Sequence, residues 1–260
     1  MKYSFIGCGN MGGAIAKALS NSTKDILLSD PSGSAARLAT QLGCKVGSNE
    51  EAVACDRVFL AVKPQMLATV LTPIASLLGE RSPVIVTMAA GVTISKIEQI
   101  IGTPLPIIRI MPNTPVQVGC GTILYCCNNL VTEETLNDFL ADMEPCGLLE
   151  QIQEHLIDAG SAVSGCGPAF AYMFIEALAD GAVACGIPRD KALRYASSML
   201  IGAAQMVLQT HQHPGMLKDA VCSPGGSTIV GVKTLEEKNF RGAVIDCVSA
   251  AYQRTTELGK

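Results

Sequence analysis

Two stretches of this chain hold residues whose types and spacing could do chemistry. Near the amino end, Ile6-Gly7-Cys8-Gly9-Asn10-Met11-Gly12 carries its glycines in the spacing G-x-G-x-x-G. An apolar run from Tyr3 precedes them, and Ala14, Ile15, Ala18 and Leu19 follow at helical period. That order predicts a strand, a tight turn and a helix N-terminus, an arrangement that accepts a pyrophosphate. Gly7 would make the turn, Gly9 would let the phosphates approach the backbone, and Gly12 would pack helix on strand. Asp25 to Ser29 reads as the next strand, and Asp30 then falls about 20 residues after the glycines, where an acidic side chain would meet an adenosine ribose. A merely structural glycine turn is the alternative for the motif taken alone.

The second stretch, Cys222-Ser223-Pro224-Gly225-Gly226-Ser227-Thr228, lies near the carboxyl end after His213-Pro214-Gly215. Two adjacent glycines after a proline, then two hydroxyls and an apolar helical pattern, would aim backbone N–H groups and side-chain hydroxyls at one point. That is a nest for a carboxylate. A helix–helix turn capped by Ser227 or Thr228 is an equally good reading of the same residues. His155, His211 and His213 are isolated and read as surface or loop residues, so no histidine base is expected. The 11 cysteines include neither a C-x-x-C pair nor a His/Cys cluster at ligand spacing, so no metal site is expected and most read as small core residues.

The elements that must position these stretches follow in order. A helix over Ala35 to Leu42 ends at Gly43, Lys45-Val46-Gly47 makes a short strand, and Asn49 sits in a strand-to-helix loop. Arg57 to Val62 is a strong apolar strand that stops at Lys63-Pro64. Pro83 to Met88 leads into Ala89-Ala90-Gly91, a helix covers Ile94 to Ile101, and Pro106 to Met111 ends in the polar turn Pro112-Asn113-Thr114-Pro115. Strand signals separated by helices predict a doubly wound sheet, whose ligand crevice lies at the carboxyl ends of the strands. Val62 and Lys63 should therefore flank a cofactor. Thr132 to Met143 is the last helix of this half and Leu148 to Ile152 its last strand, which puts the domain boundary between 152 and 153.

From Glu154 onward the period is helical. Gly165-Cys166-Gly167-Pro168 opens a helix to Cys185, another runs from Pro188 to Gln209, and a last one from Leu235 or Glu236 to Thr256. Phe170, Met173, Phe174, Ala177, Leu178, Gly181 and Ala182 make the first of these apolar on too many sides for a monomer surface. A core shared between subunits accounts for that, with a central helix of one monomer as the other reading.

Composition narrows the classes. With 260 residues, two domains or one with a large appendage are expected. Hydrophobic residues make up 48% and charged ones 16%, which opposes disorder. A net charge of −4 with no basic cluster opposes a nucleic-acid surface. Ile110 to Thr132 and Tyr195 to Leu217 are uncharged, but prolines and amides in the first and hydroxyls, Gln205 and histidines in the second oppose a spanning helix. The strand signal at Tyr3 leaves no room for a cleavable leader, so a reducing, cytoplasmic location is expected.

Taken together, Phe5 to Gly12, Ala61-Val62-Lys63-Pro64, Ala89-Ala90-Gly91-Val92-Thr93, Met111-Pro112-Asn113-Thr114-Pro115, Ser164 to Ala169 and the block His213 to Thr228 resemble pyrroline-5-carboxylate reductases over essentially the whole chain. The resemblance implies a Rossmann-type NAD(P)-binding domain (1–152), then an all-α dimerisation and substrate domain (153–260). It implies a homodimer or an assembly of dimers, and reduction of 1-pyrroline-5-carboxylate to L-proline by NADPH or NADH. Carried over residue by residue, it suggests cofactor contacts from Ile6, Gly7, Cys8, Gly9, Asn10, Met11, Gly12, Asp30, Asn49, Val62, Lys63, Pro64 and Ala90. It suggests substrate contacts from Ser223, Gly225, Gly226, Ser227 and Thr228, with Thr228 as the catalytic residue and the partner subunit completing the site. Asp30 departs from relatives with an uncharged residue there: a carboxylate would repel a 2′-phosphate and favour NADH, unless Arg37 compensates.

Two other functions fit parts of this pattern. A 3-hydroxyacid dehydrogenase of similar layout would want a lysine four residues after the second glycine of Gly165-Cys166-Gly167, where this chain has Ala171. A dinucleotide-binding sensor without turnover would need no acid–base pair, but neither would it need the hydroxyl-flanked nest.

Overall fold

The computed structural model describes residues 1–258. In its first half, β1 (Tyr3–Ile6) passes through the glycine loop into α1 (Asn10–Leu19), β2 (Ile26–Ser29) leads to α2 (Ser34–Leu42), and β3 (Lys45–Val46) to α3 (Asn49–Val53). β4 (Arg57–Leu60) is followed by a 3-10 turn at Pro64–Met66 and the short helices α4 (Leu67–Leu71) and α5 (Ala75–Arg81). β5 (Val84–Thr87) leads to α6 (Ile94–Ile101), then come β6 (Ile107–Met111), β7 (Gly121–Cys127), α7 (Glu133–Met143), β8 (Gly147–Gln151) and α8 (Ile157–Ser164).

The strands form one eight-stranded sheet in the order β3-β2-β1-β4-β5-β6-β7-β8, parallel except where β7 runs against β6. The order reverses between β1 and β4, and this switch point opens a crevice at the carboxyl ends of the two strands. Both faces of the sheet are covered, so side chains alternate between two cores. Phe5 and Phe59 stack at 4.5 Å between ring centroids in the core beneath α1, while Ile6, Val58 and Leu60 enter the opposite core. The doubly wound reading therefore stands, as a Rossmann-like, mostly parallel sheet.

Three local readings need correction. β7 was not expected from the uncharged stretch Ile110 to Thr132: after the 3-10 turn Thr114–Val118, Gly119 takes a φ of 71° and lets the chain reverse against β6. Asn49 is not in a loop but opens α3, because Ser48 caps that helix in a reciprocal box with Glu51. The last helix does not begin at Leu235. α12 (Ser227–Glu237) and α13 (Phe240–Leu258) are separated at Asn239, whose φ of 56° ends one helix before the other starts.

A buried ion-pair cluster fixes the far side of the sheet. Arg109 on β6 is 2% exposed and donates to Glu154 Oε1 at 3.2 Å and to Asp158 Oδ1 at 3.0 Å. Glu154 Oε1 also accepts the N–H of Ile94 at 2.7 Å, so one carboxylate joins β6 to the start of α6. Asp158→Ala should lower stability by about 2 kcal/mol, since it leaves a buried guanidinium with one partner fewer. Urea unfolding of the variant checks this.

The chain divides into two compact units, one of Met1–Cys166 together with the chain from Ala251, the other Gly167–Ala250. The second is built from α9 (Gly167–Ala184), α10 (Arg189–Thr210), α11 (Pro214–Ala220), α12 and most of α13. Among the described residues of α9 to α12, the helices bury only Ala179, Ala192 and Ala196, while Met173, Ile201 and Leu208 stand more than half exposed. The run Glu154–Ala184 is, by length and composition, apolar enough to cross a membrane. It nevertheless changes helix at Gly165-Cys166 and carries Asp158, Glu176 and Asp180.

Candidate active site

The three glycines of the amino-terminal loop differ in what surrounds them. Gly7, at the end of β1, has a φ of 98°, and a Cβ there would lie 2.6 Å from the Ala61 carbonyl oxygen just past β4. A Cβ on Gly12 would lie 2.5 Å from the Gly7 oxygen and 2.6 Å from the Ala61 Cβ, so α1 can rest on these strand ends only without a side chain. Gly9 is the opposite case, because a Cβ there would meet nothing within 4 Å. The first and third glycines are required by packing; the middle one faces open space. Gly9 caps α1 with extended backbone, no side chain bonds to the cap, and no acidic residue occupies the first turn. The leading N–H groups of Asn10, Met11 and Gly12 thus form a positive end that fits a pyrophosphate.

Cys8 joins this loop to β2. Its N–H donates to Asp30 Oδ2 at 2.7 Å, while Asp30 Oδ1 accepts from the Ser32 N–H at 2.8 Å and the Ser32 hydroxyl at 2.5 Å. Partial burial works against ionisation of Asp30, but the donors from Cys8 and Ser32 outweigh it and hold the carboxyl below its ordinary value. Burial, with the Asp30 charge behind it, pushes the Cys8 thiol up to about 12. Cys8 therefore serves through its backbone and not as a nucleophile. Beside Asp30, the Ser29 hydroxyl donates to Asn49 Oδ1 at 2.7 Å, which leaves the Asn49 amide nitrogen as a free donor among the described residues.

The remaining positions complete the same edge of the sheet. Ile6 is buried, so only its backbone reaches the crevice. Val62 and Pro64 are half-buried past β4, and the exposed Lys63 makes no ion pair among the described residues. Ala90 is exposed past β5, beside Gly91 with its φ of 71°. The structure brings these residues together at the carboxyl ends of β1, β2, β4 and β5.

In the helical unit, Ser223 to Gly226 form a tight turn. Gly226 N–H donates to the Ser223 carbonyl at 3.0 Å, and Gly225 after Pro224 takes a φ of 71°. Gly226 then caps α12 through extended backbone, and no side chain bonds to that cap. Neither Ser227 nor Thr228 is spent as a helix cap, which was the alternative reading of these residues. The hydroxyls of Ser223, Ser227 and Thr228 and the leading N–H groups of α12 point from an exposed turn with no side-chain partner among the described residues. His213, by contrast, is used locally: it caps α11, and its Nδ1 accepts the Gly215 N–H at 3.1 Å.

Asn113 entered the sequence reading only as part of a polar turn. It is buried after β6, where its Oδ1 accepts the Thr122 N–H and its Nδ2 donates to the Ser164 carbonyl, both at 2.9 Å, so it ties the polar turn to β7 and to the end of α8. Its place between two prolines marked a turn, but nothing in the sequence said that the amide faces inward.

Residues 154–258 match the family model for pyrroline-5-carboxylate reductase dimerisation, and residues 2–91 match that for NADP oxidoreductase, coenzyme F420-dependent. The chain is 43% identical to pyrroline-5-carboxylate reductase of Escherichia coli (strain K12), with 100% of this chain and 98% of that one aligned. It is 38% identical to the Synechocystis enzyme of that name, over 100% and 99% of the two chains. The crystal structure of Plasmodium falciparum pyrroline carboxylate reductase with NADP bound superposes with a TM-score of 0.89 at 32% identity, covering 100% of this chain and 98% of that one. With full-length identity at this level, and with the glycine loop and the Ser223–Thr228 turn formed at their expected places, the chain belongs to the pyrroline-5-carboxylate reductase family.

Proposed function

We propose that this chain reduces 1-pyrroline-5-carboxylate to L-proline, the last step of proline biosynthesis, with NADPH or NADH as reductant. The full-length identity to the Escherichia coli reductase carries this reading. When bound, the nicotinamide supplies a hydride to C5 of the cyclic imine, whose C=N electron pair passes to the ring nitrogen.

The chain's own residues bind and orient. Residues 1–152 hold the dinucleotide: the loop from Ile6 through Gly12 cradles the pyrophosphate, Asp30 and Asn49 meet the adenosine ribose, and Val62, Lys63, Pro64 and Ala90 line the strand ends beyond it. Residues 153–260 provide the substrate site and the dimer contacts. Ser223, Gly225, Gly226 and Ser227, with the N–H groups opening α12, hold the substrate carboxylate. Thr228 accepts a hydrogen bond from the protonated ring nitrogen through its hydroxyl oxygen. A hydroxyl is too weak an acid to supply that proton, so the imine enters as its conjugate acid and most of the acceleration comes from positioning.

The exposed apolar helices and the match of residues 154–258 to the dimerisation family support a homodimer or an assembly of dimers. Eleven free thiols support a reducing, cytoplasmic setting. The net charge of −4 supports a small-molecule substrate and not nucleic acid. Loss of reduced-nicotinamide absorbance on adding pyrroline-5-carboxylate tests the reaction. Turnover of a 3-hydroxyacid with the oxidised cofactor but none with pyrroline-5-carboxylate, or no turnover with either, would overturn it.

A further inference from the structure

The loop after β2 is built around a negative charge. Asp30 projects from the end of that strand at the crevice, and both its oxygens are already oriented, Oδ2 by the Cys8 N–H and Oδ1 by Ser32. Each carboxylate oxygen can accept more than one hydrogen bond, so lone pairs remain for hydroxyl donors from a ribose.

The two serine hydroxyls at this place are already engaged. The Ser32 hydroxyl is bonded to Asp30, and its oxygen also lies 2.8 Å from the Ser34 hydroxyl, so the two serines satisfy each other and the carboxylate. A cation whose charge acts on Asp30 is Arg37 on α2, which is exposed and makes no ion pair with Asp30. Gly33 caps α2 in the left-handed conformation without a side-chain bond. The Cys8 N–H and the Ser32 N–H and hydroxyl thus serve the carboxylate, so discrimination against a 2′-phosphate rests on the Asp30 charge held at the strand end.

We infer that Asp30 is a specificity-determining residue that makes this chain prefer NADH to NADPH. Its oxygens accept from the free 2′-hydroxyl of NADH, and its charge opposes the 2′-phosphate of NADPH. The inference rests on the reading of residues 1–152 as the dinucleotide site.

The test is a pair of dissociation constants, for NADH and for NADPH, measured by calorimetry on the full-length protein at low salt. NADH should bind tighter by on the order of 10- to 100-fold. Raising the ionic strength should narrow the gap by weakening the repulsion, and this arm needs no variant. Asp30→Asn, which keeps the shape and one acceptor for the Cys8 N–H, should bring the two constants to within about 3-fold, mainly by tightening NADPH. Equal or tighter NADPH binding by the unmodified chain would overturn the inference, as would a gap indifferent both to salt and to Asp30→Asn. Failure of the proposed reaction looks different: the NADH preference would persist in the calorimeter, but pyrroline-5-carboxylate would oxidise neither cofactor.

Discussion

Gly7→Ala should lose about 3–5 kcal/mol of stability, enough to remove most of the folded protein from a marginally stable chain. The new methyl would lie 2.6 Å from the Ala61 oxygen and 2.8 Å from its carbonyl carbon, backbone just past β4 that is held to β1 by the Ala61 N–H bond to the Ile6 carbonyl. The φ of 98° adds strain for any L side chain. Gly12→Ala should cost less, about 2–3 kcal/mol, because α1 can tilt away from Ala61. Gly9→Ala is the informative contrast. Its Cβ meets no protein atom within 4 Å, so the variant should unfold in urea within about 1 kcal/mol of the parent and yet bind both dinucleotides at least tenfold more weakly. Undiminished affinity in Gly9→Ala would mean that the open space above this loop is not where the pyrophosphate lies.

Thr228→Ala should lower kcat/KM for pyrroline-5-carboxylate on the order of 10²-fold while leaving the dissociation constant of the reduced cofactor unchanged. Thr228 is exposed in the first turn of α12 and, among the described residues, no hydrogen bond depends on its hydroxyl, so stability should stay within about 0.5 kcal/mol of the parent. Thr228→Ser restores the hydroxyl without the methyl group and should recover most of the rate. Full turnover in Thr228→Ala would take this residue out of the mechanism and leave the turn as a carboxylate site only.

Sequence reading worked best where a residue type answers a local demand. The glycines announced the strand–turn–helix because only glycine tolerates the contacts at Gly7 and Gly12; β4 stops at Leu60, short of the expected Val62, and Pro64 instead opens the 3-10 turn that follows. Parallel strands buried on both faces were legible as apolar runs. β7 was not, since Gly121-Thr122-Ile123-Leu124 lacks both alternation and flanking charge, and its partner was fixed by a reversal at Gly119 that periodicity does not report. The break at Asn239 was hidden for a related reason: an asparagine in the left-handed region interrupts a helix without altering its apolar pattern. Asp30 could be named from spacing as a candidate, but its hydrogen bonds from Cys8 and Ser32 could not. The inward-facing amide of Asn113 is a tertiary contact to Ser164, 51 positions away, and no local rule reaches that far.

The scarcity of buried residues in α9 to α12 also bears on how the protein comes into being. If a second copy covers these helices, as proposed above, the helical unit has too little interior of its own to persist before the two copies meet. Its folding is then second order in protein, and dilution should melt these helices ahead of the strands, giving two thermal transitions of which only the lower moves with concentration. Newly made enzyme would gain its substrate pocket at the rate of encounter, so the abundance of the chain would itself help set how much of it is competent.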